Sequence, residues 1–112
     1  ELSNKQKAYL NVAMALAATS DCRNQHGAIL VCGGRVISMG VNSFRNDPVI
    51  DKNHASEHAE IAVVRQIRFI PKRATIYVAR MSGVGLPMMS KPCSACYITL
   101  RHLGIKEVIY TT

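Results

Sequence analysis

The residues of this chain best equipped for chemistry are His58-Ala59-Glu60 and, further along, Pro92-Cys93-Ser94-Ala95-Cys96. One imidazole and two thiolates supply three ligands for a zinc ion. Three protein ligands leave a coordination position open, which separates catalytic zinc sites from structural ones. The two thiolate charges formally cancel the charge of zinc, so a water in the fourth position loses a proton near neutral pH. Glu60, next but one to the histidine and not needed as a ligand, is then a carboxylate placed to carry protons. A closed site would take a fourth ligand from Cys22, His26, Cys32, His54 or His102, and Glu60 would have no use in it. A redox Cys-x-x-Cys is another reading of the pair, and it leaves both His58 and Glu60 idle.

The elements that must hold these groups have their own signals. Ser3 with Gln6 forms a capping box, and Ala8, Leu10, Val12, Ala13, Leu16 and Ala17 predict a helix to about Thr19. The apolar run Gly27 to Cys32, the pair Gly33-Gly34 and the run Arg35 to Val41 predict a β-hairpin, with Cys32 facing the core from the strand it ends. A polar loop is expected from Asn42 to Ser56, with Asp47-Pro48 as its turn. Ile61, Val64 and Ile67 recur at helical spacing from Glu57 to Pro71, which puts His58 and Glu60 in a first helical turn. Ala74 to Ala79 reads as a strand and Met81 to Ser90 as a loop. A second helix is expected from Pro92 to Leu103, stopped by Gly104, and Val108-Ile109-Tyr110 as a last strand. Cys93 and Cys96 then share one face of a helix start, where the unpaired N–H groups lower thiol pKa and favour the thiolate that binds metal. This order predicts an α/β fold, a central mixed sheet with helices on both faces, in one domain over residues 1–112. It places the site at the carboxyl ends of strands.

Composition narrows the partners. Lys and Arg number 14 against 7 acidic residues, a net charge of +7 that favours anionic partners such as nucleotides or nucleic acid. The basic residues are scattered, so the same charge is also consistent with solubility alone. No apolar run is long enough for a membrane span and the first residues lack a signal-peptide layout, so a soluble, cytoplasmic protein is expected. Its four cysteines are then thiols and not a disulfide framework.

With these residues in place, the chain resembles the zinc-dependent cytidine deaminase superfamily, and within it the deoxycytidylate deaminase and tRNA adenosine deaminase branches. The pattern His-x-Glu with Pro-Cys-x-x-Cys is the signature of such enzymes. Further points of likeness are Gly27-Ala28-Ile29-Leu30-Val31, Val41-Asn42, Ala74-Thr75-Ile76-Tyr77-Val78 and Gly104-Ile105-Lys106-Glu107-Val108-Ile109-Tyr110. The resemblance implies the three-layer α/β/α cytidine deaminase-like fold and hydrolysis of the amine from C4 of cytosine or C6 of adenine, with release of ammonia. It implies that His58, Cys93 and Cys96 hold zinc. Glu60 takes the proton of the attacking water, passes it to the ring nitrogen beside the attacked carbon, and helps the amine leave.

It further implies that Asn42 hydrogen-bonds the substrate near base and sugar, although a turn residue closing the hairpin is an equal reading of that position. The Ala59 backbone and Ser90 border the base, and Arg23 and Arg45, with Arg80 and Lys91 beside them, are candidates for a phosphate. A (deoxy)cytidine nucleotide such as dCMP is the expected substrate; the alternatives are cytosine in single-stranded DNA or RNA, adenosine in tRNA, and a zinc-stabilised module without turnover. Two departures stand out. The stretch Arg80 to Lys91 is longer than in typical members, and the sequence stops at Thr112 without the usual fifth strand, so either it is cut short or another subunit covers the exposed edge, and a homo-oligomer is expected.

Two substitutions separate enzyme from module. Glu60→Ala is expected to keep zinc and the melting temperature while abolishing turnover, whereas Cys93→Ala loses zinc and stability together. Metal analysis and thermal melts check both, and full zinc occupancy in Cys93→Ala would refute the ligand assignment.

Overall fold

The computed structural model describes residues 2–20, 25–44, 56–57, 63–64, 66–67, 70–71, 73–82, 85–89, 94–105 and 107–111. Along the chain these form α1 (Asn4–Ala17), β1 (Gln25–Cys32), β2 (Arg35–Val41), β3 (Ser43–Phe44), β4 (Ser56–Glu57), β5 (Thr75–Met81), β6 (Pro87–Met88), α2 (Ser94–His102) and β7 (Glu107–Tyr110). Helix α1 starts where the capping box predicts. The Ser3 hydroxyl accepts from the Gln6 N–H at 3.2 Å, and the Gln6 Oε1 accepts from the Ser3 N–H at 2.9 Å. It ends at Ala17, just short of the expected Thr19, because the Thr19 and Ser20 N–H groups turn back to the carbonyls of Leu16 and Ala17 and tighten the last turn.

The main sheet has the order β2-β1-β5, with β7 and β6 sharing the far edge of β5. Pairing is antiparallel except between β5 and β7, which run parallel with α2 as their crossover. The mixed sheet is therefore as predicted. Gly33 and Gly34 turn β1 into β2 with φ of 60° and 77°; two successive left-handed residues are what a tight hairpin turn requires and what a side chain resists. A bulge places Leu30 opposite Ser38 but Val31 opposite Val36, leaving Ile37 as the extra residue.

Strands β1 and β5 read as continuous apolar runs because both of their faces are buried. Their even-numbered residues Ala28, Leu30, Ile76 and Val78 pack with Val63, Val64, Leu100 and Ile105. The odd-numbered Ile29, Val31, Tyr77 and Ala79 pack with Leu10 and Ala13 of α1 and Ile109 of β7. Helices thus cover both faces of the sheet, giving three layers. Burial first, and then the Glu107 carboxylate and the Tyr9 ring, push the Tyr77 phenol above its ordinary pKa, so it stays neutral beneath α1. Helix α2 stops as expected at Gly104, whose φ of 88° lets its N–H reach Arg101 O and the Ile105 N–H reach Leu100 O, both at 3.1 Å. Leu100 and Ile105, which bracket that stop, are both in the core.

Three expectations need correction. The loop predicted from Asn42 to Ser56 begins and ends in paired strands, with Ser43 opposite Glu57 and Phe44 opposite Ser56. Glu57 accordingly belongs to β4 and not to a helix. The loop predicted from Met81 to Ser90 contains β6, which pairs Met88 with Arg80 and Pro87 with Met81. Strands of two residues have no periodicity to read. Of the helix expected from Glu57 to Pro71, Val63 and Val64 are helical among the described residues. Among those residues no helix is long and apolar enough to cross a membrane.

Where α1 crosses β1 the backbones are almost touching. A Cβ on Gly27 would lie 2.5 Å from Ala17 N and 2.6 Å from Ala13 O, atoms of helix backbone that cannot swing aside. Gly27→Ala is therefore expected to destabilise the protein by about 3 kcal/mol through overpacking. Urea unfolding measures it, and a change below about 0.5 kcal/mol, the range of ordinary surface substitutions, would contradict the close approach.

Candidate active site

Topology brings one end of the sheet together. Strand β5 finishes at Met81, and α2 must run back from that end to let β7 start beside Thr75. The amino end of α2 therefore lies at the carboxyl ends of the parallel strands. Gln25, at the start of β1, is opposite Met81, and Val41, at the end of β2, is opposite Gly27. Asn42 follows Val41 and so stands at that same end.

Asn42 is buried, and its side chain closes the junction. The Asn42 N–H donates to His26 O at 3.2 Å, adding one step to the hairpin ladder. Its Oδ1 accepts from the His26 N–H at 2.9 Å and from the Ser20 hydroxyl at 2.7 Å, and the same hydroxyl lies 3.1 Å from Asn42 O. One asparagine thus ties the end of α1, the start of β1 and the end of β2. This bears out the turn reading of Asn42. Ser20 was missed in the sequence, where a lone serine after a helix signals nothing beyond helix termination.

The next residue, Ser43, pairs with Glu57, and His58 follows Glu57 directly in the chain. The short β3–β4 ladder hence ties the strand step after Asn42 to the step before the expected histidine ligand. Downstream of that ligand, the Ser38 hydroxyl donates to Val63 O at 2.9 Å, and Gln66 Nε2 donates to Met39 O at 2.7 Å. The described residues that flank His58-Ala59-Glu60 are so tied to neighbouring strands, Glu57 to β3 and Val63 and Gln66 to β2.

On the other side of the site, the backbone of Cys96 lies in the first turn of α2, which opens at Ser94, one residue after Cys93. The lead-in to that helix is held by Thr111, buried just past β7. Its N–H donates to Val78 O at 3.1 Å, its Oγ1 accepts from the Arg80 N–H at 3.1 Å, and its hydroxyl donates to Met88 O. Thr111 therefore fixes β6 in line with β7, a few residues ahead of Pro92-Cys93. Nothing in the sequence marks it, since a threonine after a strand is common.

Of the expected site residues, Asn42 is described in full and Cys96 through its backbone. His58, Ala59, Glu60, Ser90, Cys93, Arg23 and Arg45 lie outside the described residues. Among the described residues no group of three or more His, Cys, Asp or Glu side chains is gathered to hold a metal. Cys32 packs against the core, as expected. The donor set suits zinc on chemical grounds: one imidazole and two thiols three apart across a helix start, where backbone N–H groups favour thiolates.

The profile of the cytidine and deoxycytidylate deaminase zinc-binding region matches residues 3–112. No curated protein sequence matches the chain. Among solved structures, the dCMP deaminase of cyanophage S-TIM5 in apo form is similar at a TM-score of 0.74 and 21% identity, over 97% of this chain and 84% of that one. Cytidine deaminase from Mycobacterium tuberculosis is similar at a TM-score of 0.61 and 25% identity, over 93% of this chain and 81% of that one. Acinetobacter baumannii RibD is similar at a TM-score of 0.60 and 19% identity, over 95% of this chain but 27% of that one.

The Thr111 clamp is directly testable. Thr111→Val keeps the shape and removes the hydroxyl, leaving the Arg80 N–H and the Met88 carbonyl without that partner, for a loss of about 1 to 3 kcal/mol. Amide exchange at Arg80 is expected to speed up in the variant; exchange as slow as in the parent would rule the clamp out.

Proposed function

Because the chain belongs to the cytidine and deoxycytidylate deaminase family of zinc-binding proteins, we propose that it converts the cytosine of dCMP to uracil, consuming water and releasing ammonia. Zinc is the cofactor and deamination the reaction class of this family. The observation that carries the reading is the family match over residues 3–112, within which His58-Ala59-Glu60 and Pro92-Cys93-Ser94-Ala95-Cys96 are intact.

In this reading His58, Cys93 and Cys96 hold zinc. When bound there, the metal would lower the pKa of a water and so supply a nucleophile near neutral pH. Glu60 accepts the proton of that water and hands it to the ring nitrogen beside the attacked carbon. It then takes the remaining proton of the hydroxyl added at that carbon and passes it to the departing amine, so its carboxyl must both accept and give within one turnover. The Ala59 backbone and Ser90 border the base, and Asn42 meets the substrate near base and sugar. Arg23 and Arg45 attract the phosphate.

A free nucleotide is favoured over a polymer by the scarcity of aromatic side chains. The net charge of +7 suits a phosphate, but the chain has no Trp and only two Phe and four Tyr to stack successive bases of a single strand.

The test is mass spectrometry of cytidine, CMP, dCMP, adenosine and single strands containing C or A, each incubated with zinc-loaded protein and with Glu60→Ala. Conversion of dCMP by the parent alone is the expected result. Conversion of a single strand and not of dCMP would transfer the activity to nucleic acid, and no conversion at all would leave a zinc-binding module.

A further inference from the structure

We infer that Ser20 is a positioning residue for substrate binding, because its hydroxyl helps to hold the Asn42 amide in the orientation in which it meets the nucleotide. This rests on the reading of Asn42 as a substrate contact.

The orientation of the amide follows from chemistry. A backbone N–H can only donate, so the Asn42 atom 2.9 Å from His26 N must be the oxygen, Oδ1. The Ser20 hydroxyl, 2.7 Å from that oxygen, supplies a second donor from a different element. Two donors from two directions fix both the side and the tilt of the amide plane. An amide whose oxygen is committed in this way meets a substrate only as a donor through Nδ2. The substrate group it recognises is then a hydrogen-bond acceptor, a sugar hydroxyl oxygen or the carbonyl of the base.

Ser20 is itself rigidly held. It is buried, its N–H donates to Ala17 O at 3.0 Å, and its carbonyl accepts from Gln25 Nε2 at 3.1 Å. Ala17 in turn lies against Gly27, where no side chain separates helix from strand. The hydroxyl therefore reports the position of α1 to the amide. Without it, Oδ1 keeps the His26 N–H but loses its second donor, and the amide is held less firmly. The fold survives and the aim of Nδ2 is lost.

A contact made to sugar or base carbonyl is present in both the ground state and the transition state, so misaiming it raises KM more than it lowers kcat. In Ser20→Ala the KM for dCMP is expected to rise about tenfold, the equivalent of one hydrogen bond, with kcat within about twofold of the parent. The same change in an Asn42→Ala background is expected to add nothing to KM, since the two residues act as one unit. A purely structural serine would lower the melting temperature without that dependence on Asn42. If Ser20→Ala is too unstable to assay, Ser20→Cys fills the space with a weaker donor and is expected to show the same pattern at smaller amplitude.

The failures are distinguishable. A parent that does not turn over dCMP overturns the proposed function and this inference with it. An Asn42→Ala variant with unchanged KM removes Asn42 as a substrate contact. A raised KM in Asn42→Ala combined with an unchanged KM in the Ser20 variants, or a Ser20 effect that persists without Asn42, refutes the positioning role alone.

Discussion

The missing side chain of Gly27 is the constraint on which this architecture depends. At that residue the backbone of α1 is laid against β1 so closely that Ala17 N would fall 2.5 Å from a Cβ. Ala13 and Ala17, fully buried, are the small residues that allow the approach from the helix side. The contact sets more than packing. It fixes the height at which α1 ends, and that end delivers Ser20 to the oxygen of Asn42, 2.7 Å away. From Asn42 the chain steps into Ser43, whose partner Glu57 precedes His58. A steric condition at the far end of a helix is thus linked, through one hydroxyl and one two-residue ladder, to the strand that leads into the expected metal ligand.

The central strand supplies the complementary half of the argument. Strand β5 is buried on both faces and bonded along both edges, so it has no freedom to shift register without turning its core residues outward. Its carboxyl end leads through β6 toward the Pro-Cys motif, and Thr111 locks that lead-in to the continuation of β7. The chain shortly before α2 is thereby held from the sheet side, while the other end of that helix is stopped at Gly104, with Leu100 and Ile105 in the core. Helices on both faces and strands on both edges leave the converging ends as the place where polar groups can be exposed without breaking the core.

What the sequence makes legible divides along physical lines. The α1 cap at Ser3 and Gln6, the turn at Gly33-Gly34 and the stop at Gly104 depend on local conformations that few residues satisfy, so residue type alone reveals them. Strands β1 and β5 are equally visible, because burial on two faces demands unbroken apolar runs. The β3–β4 and β5–β6 pairings are not visible. Two-residue strands carry no alternation, and β6 exists because a distant threonine holds Met88. Ser20 and Thr111 share this opacity: their roles depend on partners 22 and 23 residues away, and nothing in their neighbourhood announces them. The metal motif is the opposite case. Zinc chemistry restricts its ligands to few residue types, so the proposed ligands His58, Cys93 and Cys96, with Glu60 beside the first as the proposed proton carrier, stand out before any fold is known.

For Asn42, the observed structural role and the proposed substrate contact need not compete. A sequence offers a choice between a hairpin-closing turn residue and a substrate contact, as if one side chain had one duty. The amide has two chemically distinct ends. Its oxygen is committed to the His26 N–H and the Ser20 hydroxyl, and in that role it closes the hairpin. That same commitment removes the two-fold ambiguity of the amide, because turning it over would set Nδ2 against a backbone donor. Structural duty at the oxygen is therefore what gives the nitrogen a defined direction. A residue freed from the hairpin would be a poorer recognition element, since its donor and acceptor would exchange places at little cost. Holding one end of the group in the scaffold is how a fold of this size obtains a rigid polar contact without spending a second residue on it.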